Sequence, residues 1–229
     1  MTTDRSDRSS RAHRGLYRDW EMTIRDEIEV NAYRAAVAMC ASGASACAVC
    51  AKAHQWSGAQ DAYFASALGL GAALMLIHMY VSEIRDAMRV MWVVGFASSI
   101  AIAANSGGDG VVAYVGEHRW TMWAIGPMFA ALTGLAFKEG MCYGKAEAAA
   151  LVFAVPALCL SHLFGAPDDV ESVEAAAVCA LLAIFAGRKF TQPVKDDIGD
   201  KSIFMFKALR TDEEREEWLR SARATGRDV

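Results

Sequence analysis

Few chemically active side chains fall within the apolar stretches of this 229-residue chain: His78, Lys138, Glu139, Cys142 and His162. An ionisable group in lipid is costly unless it is paired or wetted, so function is sought there first. The richest constellation joins His78, Glu83, Arg85, Lys138, Glu139 and Cys142, all near the ends of apolar runs on one side. A neutral imidazole beside a carboxylate can relay protons or hold a divalent ion, and Cys142 follows Glu139 by three residues on the same helical face. The plainer reading, preferred here, is an ion-pair network that anchors helix ends. His162 forms a second polar site near the opposite side, roughly 20 Å away in depth at helical rise. The two histidines are therefore not expected to share a metal or haem, and no catalytic residues, metal site or cofactor are expected.

Cys47 and Cys50 form a C-x-x-C, with Cys40 two helical turns earlier. Such a pair exchanges disulfides when it stands at a helix N-terminus, where the dipole favours the thiolate. Here it stands near a C-terminal end in an Ala-rich run, so all these cysteines read as small apolar fillers.

The elements that position these groups follow from the placement of charge. Hydrophobic residues make up 54% of the chain and charged residues 22%. Most of the charge sits in residues 1–29 and 188–229, polar tails around a middle of 30–187 that is nearly charge-free. Spans are expected at 31–51, 62–82, 88–104, 120–137, 148–165 and 172–187, each long enough, with its flanks, for a hydrocarbon core of about 30 Å. These runs show no polar stripe at helical spacing, which argues against buried helices of a soluble fold. The expected fold is all-α, a polytopic membrane bundle of about six helices with the lipid bilayer as partner. A net charge of -4 and a pI of about 5.7 give no footprint for nucleic acid.

Orientation follows from Lys and Arg. With six spans, twenty-one of the 23 basic residues fall on one face and two, Lys52 and Arg119, on the other. Both termini then face the cytosol or stroma. The other face carries Asp61, Asp109, Glu117, Asp168, Asp169, Glu171 and Glu174, read as a solvated loop surface. The first tail is too long and too charged for the start of a cleavable signal, and its Asp residues argue against a transit segment.

Small residues step by four along two spans: Gly95, Ser99 and Ala103 on the third, and Gly126, Ala130 and Gly134 on the fourth. Such stripes let backbones approach in lipid, so the two spans are expected to touch there. Pro127 and Pro156 predict kinks. Residues 73–80 (ALMLIHMY) match 157–164 (ALCLSHLF) at four of eight positions, which would suit two inverted three-span halves of a transporter. In the tails, Thr211 with Glu214 predicts a capped helix over 211–223. Leu16, Tyr17, Trp20, Ile24 and Ile28 predict an amphipathic surface helix before the first span.

The run Ala131-Leu-Thr-Gly-Leu-Ala-Phe-Lys138-Glu139-Gly-Met-Cys142, the segments Ile77-His78-Met79-Tyr80 and His162-Leu163, Gln192-Pro193, and Asp197-Ile-Gly-Asp-Lys-Ser-Ile-Phe204 resemble an integral membrane family, domain of unknown function 2301. The resemblance covers roughly residues 15–206. It implies a source among cyanobacteria or photosynthetic eukaryotes, a plastid thylakoid or envelope membrane in the latter, and no particular activity. The expected role is an accessory, assembly or structural component among other membrane subunits. The alternative is a transporter or channel for a small solute or ion using His78 and Glu139, with a membrane thiol oxidoreductase a distant third.

Overall fold

The computed structural model describes residues 12–108 and 110–227, with the backbone alone at Cys142. The basic residues Arg5, Arg8 and Arg11, and Asp109, lie outside the described residues. Six helices of 19 residues or more dominate: α1 (Ile24–Lys52), α2 (Trp56–Leu76), α3 (Ser82–Asn105), then, after the short α4 (Gly110–Glu117), α5 (Met122–Tyr143), α6 (Ala146–Phe164) and α7 (Asp168–Lys189). Three short helices follow: α8 (Val194–Ile198), α9 (Lys201–Lys207) and α10 (Asp212–Ala224). Among the described residues the remaining regular structure is a 3-10 turn at Arg119–Thr121 and a two-residue antiparallel pairing of β1 (Ala12–His13) with β2 (Trp20–Glu21).

The chain divides into two compact units. Unit 1 comprises residues 1–31, His78–Tyr80 and Gln192–Val229; unit 2 comprises Ala32–Ile77 and Val81–Thr191. In unit 1 the two tails clasp each other. Asp200 accepts from Leu16 N (2.6 Å) and from Ser202, Lys201 bonds Asp26 (2.8 Å), and Arg227 donates to Gly15 O and bonds Asp19. Trp20, Val30 and Ile198 form its small core. Tyr80 lays its ring on Phe204, accepts Asp200 N at its hydroxyl and Lys207 Nζ at its carbonyl.

Unit 1 holds the chain before α1, again between α2 and α3, and again after α7. Helices α1, α3, α5, α6 and α7 are long and apolar enough to span. The eight-residue α4 is too short. Helix α2 is 21 residues or about 31 Å long, but with Gln60 and Asp61 near its start it is not among these five. The chain is an all-α membrane helical bundle, with five such helices among the described residues where six spans are expected from the sequence.

Unit 2 is built on close approaches of backbone. A Cβ at Gly43 would lie 2.6 Å from Ser66 N, and one at Gly69 would lie 2.5 Å from Cys40 N, so α1 and α2 touch main chain to main chain. Ser66 Oγ seals the contact by donating to Cys40 O at 2.8 Å. In the same way a Cβ at Gly95 of α3 would meet Met128 N at 2.6 Å and Ile125 O at 2.9 Å on α5. Ser99 is fully buried beside it, bonded to Tyr63, and Ala103 packs on the Val111, Val115 and Ile125 cluster. On α5 only Gly134 of the expected stripe meets α3, at Met88. Gly126 meets nothing within 4 Å and Ala130 is exposed; Ile125, Met128 and Leu135 are buried instead. Trp123, Phe153 and Phe164 stand 76%, 76% and 81% exposed, as lipid-facing side chains do.

Three expectations about boundaries change. The first span's helix starts seven residues early, at Ile24, because Thr23 and Asp26 cap it reciprocally (Thr23 N to Asp26 Oδ2, 2.8 Å; Asp26 N to Thr23 Oγ1, 3.2 Å). Leu16 and Tyr17 therefore belong to the β1–β2 turn and Trp20 to β2, not to an amphipathic helix; of the five, Ile24 and Ile28 are helical. The second helix ends at Leu76 instead of continuing to 82. Arg89 of α3 donates to Leu74 O and Met75 O (both 3.0 Å), satisfying the last carbonyls so the chain can leave the helix. The proposed repeat loses its structural parallel for the same reason: 157–164 is helical throughout, whereas 77–80 is not.

Candidate functional site

The expected cluster resolves into separate groups. Glu139, fully buried in the last turns of α5, is the centre of the largest. Its Oε1 accepts from Lys138 Nζ (3.0 Å) and Tyr33 Oη (3.1 Å), and its Oε2 from Lys145 Nζ (2.8 Å) and Lys189 Nζ (2.6 Å). Each lysine stands where an element ends. Gly144, at φ 61°, takes the left-handed turn that closes α5 and throws Lys145 back beside Glu139 as α6 begins. Lys189 is the last residue of α7, and Tyr33 comes from α1. Three cations to one carboxylate would repel strongly in a dry site, and aromatic faces meet part of that charge. Lys189 lies 4.8 Å over Tyr33, Lys138 and Lys145 lie 5.0 and 5.1 Å over Tyr143, and Phe185 flanks Lys145 and Lys189. The group ties four helices at one level.

The other residues expected with Glu139 lie elsewhere. His78 is in unit 1, its Nε2 3.8 Å from Glu29 and its ring against Phe204. Glu83 accepts from Ser82, and Arg85 pairs with the adjacent Asp86, on the exposed first turn of α3. Cys142 lies in the last turn of α5, its side chain outside those described. Lys145, Lys189 and Tyr33 were not singled out from the sequence. The available signal was that lysines flank three apolar runs on one side, where Glu139 is one of two buried glutamates among the described residues and the other, Glu147, pairs with Arg188.

His162 is the second polar site. Gly165 turns left-handed after α6 and Pro167 starts α7, which sets Glu171 opposite His162. His162 Nδ1 lies 2.9 Å from Glu171 Oε2 and its Nε2 3.0 Å from Val115 O; next to it Ser161 donates to Glu174 at 3.0 Å. Asp168, Asp169 and Glu171 fill the first turn of α7, where the helix dipole favours acid. Part of the acidic face thus has specific partners. A cavity of about 240 Å³ opens beside His162 and Glu171, and a second of about 250 Å³ adjoins it deeper in the bundle, lined by Cys40, Cys47, Tyr63, Ser66 and Cys179 among apolar residues. Cys40, Cys47, Cys50, Cys159 and Cys179 are free thiols. Among the described residues no group of three or more His, Cys, Asp or Glu converges as a metal site.

The model of the integral membrane family known as domain of unknown function 2301, described as an uncharacterized integral membrane protein, matches residues 72–206, more than half of the chain. The chain belongs to this family. No curated protein and no solved structure matches it. The segment matched by the 2301 family holds Lys138, Glu139, Lys145, Lys189, His162 and Glu171. Tyr33 and the α1 and α2 walls contributed by Cys40, Cys47, Tyr63, Ser66 and Leu70 precede it.

Proposed function

We propose that this integral membrane protein is a non-enzymatic accessory or assembly component of a photosynthetic membrane, a thylakoid or envelope membrane where the source has plastids, holding other membrane subunits. The observation that carries this reading is the closure of the Glu139 group. A carrier or pump must let its charged groups exchange partners or meet water during a cycle. Glu139 is fully buried, accepts from four donors, and binds lysines from the end of α5, the start of α6 and the end of α7. That arrangement fastens helices and leaves no oxygen of the carboxylate for a moving ion. His78, the other half of the transport reading, is occupied with Glu29 and Phe204 in unit 1. The photosynthetic setting rests on the resemblance of the Leu-Thr-Gly and Asp-Ile-Gly-Asp-Lys-Ser motifs.

Mild detergent extraction of source membranes, followed by native sizing and identification of co-migrating chains, tests the reading. The expected result is a particle that contains other membrane proteins. A particle holding this chain alone, together with solute or proton flux in vesicles that stops in Glu139→Ala, would overturn it.

A further inference from the structure

We propose that unit 2 is a receptor for a small apolar molecule with a hydroxyl head, a lipophilic phenol, held in the chamber among α1, α2, α5, α6 and α7. The two cavities are neighbours that share Cys47, Tyr63, Phe129 and Leu158 in their linings, and we take them as the inner and outer parts of one chamber. The inner part is bounded by Leu70, Met128, Leu132 and Leu182, and the outer part ends on His162 and Glu171. Each part is close to the lower end, about 300 Å³, of ordinary small-molecule sites. That space suits a ring and a short chain better than a whole lipid.

Hydrogen-bond accounting selects the head group. Ser66 Oγ donates to Cys40 O, and Ser99 Oγ donates to Gly95 O, which leaves Tyr63 Oη to donate to Ser99 at 2.6 Å. Val115 O can only accept, so His162 Nε2 carries a proton and gives it to that carbonyl. The 2.9 Å contact between His162 Nδ1 and Glu171 Oε2 then requires one further proton, held by either atom. In both cases the pair is neutral overall. The strong donors along the chamber are thus committed, and its thiols donate only weakly. What remains are acceptors, the second Glu171 oxygen and a lone pair on Tyr63. A ketone, ester or ether would meet no donor, and a neutral pair gives little attraction for a cation. A neutral O–H supplies the donor these acceptors lack, while its apolar body fills the inner part.

The chamber cysteines report occupancy. The full-length protein in detergent is treated with N-ethylmaleimide, and alkylation at each cysteine is followed by mass spectrometry. The probes are 4-pentylphenol and its methyl ether 4-pentylanisole, alike in shape but differing in the donor. The phenol is expected to slow alkylation of Cys47 and Cys179 without slowing Cys50, which does not line the chamber. The ether is expected to need about tenfold higher concentration for the same protection, the weight of one hydrogen bond. Glu171→Ala should erase the difference between probes. Equal protection by both probes on the unmodified chain, or protection by neither, overturns the proposal without recourse to any variant.

Discussion

Replacing Glu139 by Gln is the sharpest test of the closed charge group. The substitution keeps volume and removes one negative charge from beneath Lys138, Lys145 and Lys189, whose side chains are 6%, 6% and 0% exposed. Breaking a buried pair by deleting one partner costs about 3–5 kcal/mol, because the remaining charge is left uncompensated. Here three cations lose the same partner, and their aromatic neighbours recover only about 0.5–2 kcal/mol each. The expected loss is therefore at least the full 3–5 kcal/mol. For a chain of this size each kcal/mol moves Tm by about 2–4 °C, so Tm should fall by about 6–20 °C. Thermal unfolding in detergent, read by a thiol-reactive dye, measures it. The double variant Glu139→Gln with Lys189→Met should recover part of the loss, since it removes a cation along with the anion. A Glu139→Gln protein melting within 2 °C of the parent, or a double variant worse than the sum of the single changes, would refute the reasoning that this group fastens the bundle.

Gly95→Ala should destabilise by about 1–3 kcal/mol, because its Cβ meets α5 main chain that cannot step aside, while Gly126→Ala should be neutral or slightly stabilising; the same melting assay compares them. Arg89→Ala should cost about 1–2 kcal/mol in that assay by stripping the carbonyls of Leu74 and Met75 of their donor. Asp200→Ala should loosen the clasp of the tails, and limited trypsin digestion near Lys207 and Arg210 should speed up; an unchanged rate would mean the clasp does not order this unit. In a cysteine-free background, His54→Cys and Ser221→Cys should react with an impermeant maleimide from opposite sides of sealed vesicles, and labelling from one side would remove the expected six-span topology.

The sequence was most readable where one term dominates the free energy. Charge in lipid is so costly that the sparse lysines and arginines marked the ends of the long apolar helices, and the bilayer thickness set their length. Gly95 with Ser99 was legible as a contact because small residues repeating every four positions have little other use in lipid. Its partner on α5 was legible only in part: Gly134 does lie against Met88, but Gly126 matches the same rule and meets nothing, and Met128 and Ile125 face Gly95 instead.

What the tertiary structure alone decided is where a helix stops and which distant groups then meet. Residues 77–80 are apolar enough to extend α2, and only the reach of Arg89 to the carbonyls of Leu74 and Met75 ends it, moving His78 out of the span and into the tail unit. Glu139 was visible as a carboxylate within an apolar stretch, but its four donors come from residues 33, 138, 145 and 189, and no local spacing links them. Periodicity encodes the face of a single helix. The pairing of His162 with Glu171, the convergence of three lysines on Glu139 and the chamber between the helices depend on how those faces are rotated and stacked, which is a property of the packed bundle and not of any one segment.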